Sequence, residues 1–108
     1  MDVPIMTNSK FYAKYGSDIL DPETGDVYGT MTVLPIAGAP GITHDCLYAN
    51  VYTQPDKKFL LAISSHNTGD IYKVVRDFSN REGAFFYAYD WAKANLGSGF
   101  FILYAEVQ

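Results

Sequence analysis

The chain has 108 residues, is 48% hydrophobic and 19% charged, and carries a net charge of −4. That length supports one domain spanning residues 1–108 and not two with separate cores, and the composition excludes disorder. The acid excess, with no clustering of Lys and Arg, disfavours binding to a phosphate backbone.

The first expected element is "TNSKFYAKYG", read as a short N-terminal helix capped by Thr7 or Asn8 and stopped at Gly16, with an edge strand as the alternative because Phe11, Ala13 and Tyr15 alternate. Asp-Pro and Gly25 make "LDPETGD" a turn. "DVYGTMTVLPI" then alternates with period two and ends near Pro35, as a strand does. Residues 37–45 form a Gly- and Pro-rich loop. "CLYANVYTQ" is a second strand, "QPDKK" a hairpin connection, and "KFLLAIS" a third strand. "HNTGD" is a turn and "DIYKVVRDF" a fourth strand, with Tyr72, Val74 and Phe78 on one face and Ile71, Lys73 and Val75 on the other. Ser79 and Glu82 stand three apart, as in a capping box, so a helix is expected over about 80–96 with Gly97 beyond its last turn. "GFFILYAEV" is the fifth strand.

Four strands with short connections form a meander, and the helix brings the fifth strand back beside the first. The expected fold is α+β, a five-stranded antiparallel sheet in the order 5-1-2-3-4 with the main helix across one face. On a helical wheel Ala84, Ala88, Ala92, Phe85 and Leu96 face the sheet, with Tyr89 and Trp91 at the rim. Phe86 and Tyr87 fall on the solvent side, where clustered rings point to binding. The opposite sheet face is expected to show Tyr28, Tyr48, Tyr52, Leu60, Ile71, Phe100, Ile102 and Tyr104. That face is too apolar for bare solvent. The N-terminal segment, the 37–45 loop or a second copy of the chain would cover it, and in the last case Tyr28, Tyr48, Tyr52 and Tyr104 form the dimer face.

Charge is unevenly spread. No Lys or Arg lies between Tyr15 and Asp56, while Asp18, Asp21, Glu23 and Asp26 cluster in a short stretch. Their spacing does not match a calcium loop with ligands at positions 1, 3, 5 and 12, so they read as a solvated turn or as a contact surface for a basic partner. "THDC" sets His44 beside Cys46, a conceivable base and thiol, and "SSHN" offers Ser64, Ser65 and His66. Both read first as local structure, because catalytic groups come together from distant positions, and no elbow, cofactor loop or metal spacing accompanies them. A non-enzymatic chain with no cofactor and no metal is therefore expected. The single cysteine, the early acid at Asp2 and the lack of any apolar run of about 20 residues fit a cytoplasmic protein with no membrane span.

A small acidic chain with a capped helix on an antiparallel sheet looks like phage-encoded inhibitors of bacterial defence, the anti-CRISPR proteins. The likeness covers the whole chain and rests on size, charge and layout. It implies work in a host-cell cytoplasm, without direct nucleic-acid binding. There carboxylates would occupy a basic, nucleic-acid-binding groove of a partner protein, with Asp18, Asp21, Glu23 and Asp26 as first candidates and Phe86 and Tyr87 as anchors. A homodimeric subunit using the open aromatic face, and a small enzyme using Cys46 and His44, are the alternatives.

Overall fold

The computed structural model describes residues 4–19, 27–35, 46–96 and 99–106. In chain order these form helix α1 (Asn8–Tyr15) with a 3-10 turn at Gly16–Asp18, then strands β1 (Val27–Pro35), β2 (Leu47–Thr53), β3 (Phe59–Ser65) and β4 (Ile71–Phe78). Helix α2 (Arg81–Leu96) and strand β5 (Phe100–Glu106) complete the chain order. The strands make one antiparallel sheet in the order β4-β3-β2-β1-β5, which is the expected topology.

Two cores share this sheet. On one face α2 lays its Ala84, Ala88, Ala92 and Leu96 stripe over Met31, Val33, Ala49, Val51, Leu61 and Ile63. Alanine at every fourth position removes side-chain bulk along one line, so the helix sits close to the strands. Rings then reach outward from each side of the helix. Tyr87 meets Phe78 at 5.8 Å and Trp91 meets Tyr72 at 6.2 Å, both on β4. Phe85 meets Tyr104 at 5.7 Å and Tyr89 meets Phe100 at 6.1 Å, both on β5. One helix thereby spans five strands, with methyl groups over the middle and aromatic rails to both edges.

Among the described residues, the cover on the second face lies over β2, β3 and β4. Phe11 of α1 and Ile19 bury against Tyr52, Leu60, Ala62 and Ile71, with Met6, Tyr15 and Val74 at the margin. Thr7 caps α1 by accepting from the Lys10 amide, and the chain passes at Gly16 straight into the 3-10 turn. The N-terminal segment is thus the cover over this half of the face.

Several expectations change. The cap of α2 is Asn80, whose Oδ1 accepts from the Gly83 amide at 2.8 Å, rather than a Ser79–Glu82 box. An Asx side chain one residue later does the same work, and Glu82 instead lies 3.4 Å from the Arg81 guanidinium. The faces of β4 are not those of simple alternation. Register shifts between Phe59 and Leu61 and between Ile63 and Ser64 put Tyr72 and Phe78 toward α2, but Ile71 and Val74 toward α1. A bulge inserts one residue and so inverts the facing of every later residue in the strand. Asp77 sits in one of them at φ 68°. Gly97 and the 37–45 loop lie outside the described residues.

Gln54, 2% exposed, fixes that bulge. Its Oε1 accepts from the Asp77 amide at 2.9 Å, and its Nε2 donates to the Asp77 carboxylate at 3.0 Å. The Gln54 backbone also closes the β2–β3 turn, accepting from the Lys57 amide and donating to the Lys58 carbonyl. A buried amide with every bond local to one strand junction is structural.

Candidate surface for a protein partner

Of the residues predicted to bind a partner, only Phe86 and Tyr87 have described side chains, and the structure treats the two differently. Phe86 is exposed, at 69% of its surface, on the outer side of α2. Tyr87 is not on the solvent side as expected. It is half-buried, because its ring lies edge-on to Phe78 and belongs to the rail over β4. Asp21, Glu23 and Asp26 lie outside the described residues, and only the backbone of Asp18 is described, at the end of the 3-10 turn.

The four tyrosines expected on one open face also divide. Tyr52 is buried under α1, its ring tilted against Phe11 at 5.9 Å, and so cannot meet a second chain. Burial pushes its hydroxyl well above the usual tyrosine range, the neighbouring Tyr12 hydroxyl pushes the same way, and a hydrogen bond with Asn50 partly opposes both. Tyr104 is exposed but stands on the α2 face, against Phe85, and Phe100 and Ile102 accompany it there. The parity of β5 is set by its pairing with β1: Ile102 opposes Val33 and Tyr104 opposes Met31, two residues under the helix. Tyr48 is half-buried on the far face, edge-on to His66 at 4.9 Å, and Tyr28 lies in β1 with its side chain outside the described set.

The structure instead brings together a group that the sequence alone leaves apart. Glu82, Phe85, Phe86 and Tyr104 line an open groove of about 200 Å³ between the first turns of α2 and β5. Tyr104 and Phe86 are 61% and 69% exposed. Three aromatic rings, two of them edge-on to one another, and one carboxylate border it. That combination suits a cationic side chain, which gains from both ring quadrupoles and the negative charge. Glu82 already faces Arg81, but the pair is solvent-exposed and so holds the carboxylate weakly. By sequence, Glu82 reads as a capping residue and Phe85 as core. Only the β5 register, which lifts Tyr104 beside them, reveals the cluster.

Of the residues considered for chemistry, Cys46, Ser65 and His66 take part in local hydrogen bonds. The Cys46 carbonyl accepts from the His66 amide at 2.9 Å, while His44 lies outside the described residues. Ser65 is buried in the β3–β4 turn, its hydroxyl accepting from the Thr68 amide, and Gly69 closes the turn at φ 75°. Among the described residues no three His, Cys, Asp or Glu side chains group closely enough to hold a metal ion. No described helix is long and apolar enough to cross a membrane. No family model, curated protein or solved structure matches the chain.

Proposed function

We propose that this chain is a non-enzymatic binding protein that engages a partner protein with a basic surface. The observation that carries this reading is the groove of Glu82, Phe85, Phe86 and Tyr104, where exposed rings flank a carboxylate. Rings of this kind supply most of the affinity in protein interfaces, and a nearby acid selects for Lys or Arg. The acidic stretch Asp18, Asp21, Glu23 and Asp26 adds long-range attraction for the same kind of partner. The likeness to phage-encoded inhibitors extends this to blockage of a nucleic-acid-binding groove on a defence protein.

The test has two arms. Partners captured on the immobilised chain from bacterial lysate are compared among the wild type, a Phe86→Ala/Tyr104→Ala variant and a variant with Asp21, Glu23 and Asp26 converted to amides. The ring variant should lose the captured protein, and the amide variant should hold it with less salt dependence. Identical capture by all three removes the reading. In the second arm, cells carrying a CRISPR system targeted to a phage should yield more plaques when they express the chain. An unchanged count with a folded, expressed chain would remove the anti-defence extension.

A further inference from the structure

The two edges of the sheet are built differently. On β4 the N-terminal segment pairs with Ile71: the Ile5 amide donates to the Ile71 carbonyl at 2.7 Å and the Ile71 amide to the Met6 carbonyl at 2.8 Å. Further along, β4 has two register shifts, a left-handed Asp77, and the charged side chains of Lys73 and Arg76. Cover, bulges and charges are the devices by which proteins prevent edge-to-edge pairing. Among the described residues strand β5 has neither cover nor bulge, and its one charged residue is Glu106 at its end. Its seven residues pair with β1 without a register shift, residues 100–105 carry no charge and no Pro, and among the described residues it pairs with β1 alone. Phe101 and Leu103 point to the far face and are 64% and 58% exposed, while Tyr104 is open on the near one.

We infer that β5 pairs edge to edge, antiparallel, with β5 of a second copy of this chain, giving one continuous ten-stranded sheet. A twofold axis normal to the sheet at Ile102 sets Phe101 opposite Leu103 of the other copy, and Phe100 opposite Tyr104. Every such pair is apolar or aromatic, and no like charges meet across residues 100–104. Shifting the axis to Leu103 would set Phe100 against Glu106 instead. Taking about 150–250 Å² for a full ring, Phe101, Leu103 and Tyr104 leave on the order of 350 Å² open per copy. The two copies together bring about 700 Å² of side-chain surface to the seam before the backbone edge is added, which places the contact among the weak, reversible ones below about 1,200 Å² and calls for a concentration-dependent dimer. The same axis keeps both α2 helices on one side, so the dimer presents two Glu82–Tyr104 grooves together. The pairing does not depend on the partner reading.

Light scattering of the full chain over about 5–500 µM should show a rise from 12.0 kDa toward twice that mass. A constant 12.0 kDa overturns the inference. Phe101→Lys/Leu103→Lys should stay monomeric with an unchanged circular dichroism spectrum, and a dimer that survives this change refutes edge pairing. Register is read in a Cys46→Ser background: oxidation should join Phe101→Cys chains to Leu103→Cys chains when mixed, and neither to itself. Joining within a single variant overturns the Ile102 axis. Added salt should leave this dimer intact while weakening capture of a basic partner, so either reading can fail without the other.

Discussion

The close approach of α2 to the sheet is the feature whose perturbation is easiest to size. Ala88 is 1% exposed and lies midway along the Ala84–Ala92 stripe, with Leu61 and Val51 in the same core. Ala88→Leu replaces a methyl by an isobutyl group where close contact leaves no room. Helix propensity hardly changes, since Ala and Leu are both strong helix formers. The strain term therefore stands almost alone and costs about 1–3 kcal/mol, because the helix must tilt off the strands or the strands must splay. Ala94→Leu, at an exposed position of the same helix, makes the same chemical change without the clash and should fall within about 0.5 kcal/mol of the wild type. In a domain of this size each kcal/mol moves the midpoint by about 4–8 °C, so Ala88→Leu should melt on the order of 10 °C lower. Thermal and urea unfolding followed by far-ultraviolet circular dichroism measure the difference, and near-ultraviolet signals should report the disturbed Trp91 and Tyr87 rails. If Ala88→Leu is as stable as Ala94→Leu, the helix is not held close by its alanines and the account of the main core is wrong.

Gln54→Leu keeps the bulk but leaves the Asp77 amide unpaired and the bulge unheld; the melting temperature should drop by several degrees, and an unchanged value would show the bulge to be self-supporting. The Gln54 amide holds the Asp77 carboxyl below its usual range; desolvation opposes it, and the charges of Arg76 and Lys58 act with it. A lowered folded value gives stability that is present above the unfolded value of about 3.9 and is lost as pH falls through the folded one, so Asp77→Asn should show a shallower decline in melting temperature between about pH 5 and 2. For Tyr52 the sign reverses. Its raised value gives stability that is full below about pH 10 and is lost as pH rises further, so Tyr52→Phe should be less stable at neutral pH yet lose less between about pH 9 and 11.5. Parallel pH slopes for Tyr52→Phe and wild type would refute the buried-hydroxyl account.

The sequence was most legible where one period ran unbroken. In β2 the alternation of Leu47, Ala49 and Val51 with Tyr48, Asn50 and Tyr52 maps directly onto the two faces, and the four-residue alanine spacing marks the buried stripe of α2. It was misleading where an inserted residue broke the period. Nothing local in "DIYKVVRDF" announces that Asp77 will adopt φ 68°, because the cause is Gln54, 23 residues earlier. The faces of β5 escape the sequence for a related reason. A strand apolar at both parities carries no internal sign of which side faces the helix, and only its partner in β1 decides. The helical wheel turns Tyr87 away from the alanines, yet a ring of that length still reaches Phe78 at the sheet margin. The groove was invisible for all these reasons together: its members come from two elements whose relative register is fixed elsewhere.

A strand apolar on both sides belongs, by its composition, in the middle of a sheet, where both faces are covered. Strand β5 has that composition and an outermost position among the described residues. One of its faces is partly served by Phe85 and Tyr89, which reach down from α2. The other, with Phe101 and Leu103, is left to water because α1 covers only the opposite half of the sheet. The mismatch is confined to one strand, while β4 at the other edge has both an N-terminal cover and charges. Exposed apolar side chains scattered over a surface need no cause, but these converge on a single hydrogen-bonding edge. A second strand laid along that edge removes the conflict at once. It satisfies the backbone groups, sets Phe101 beside Leu103 of the other copy across the seam, and turns an edge strand into an inner one.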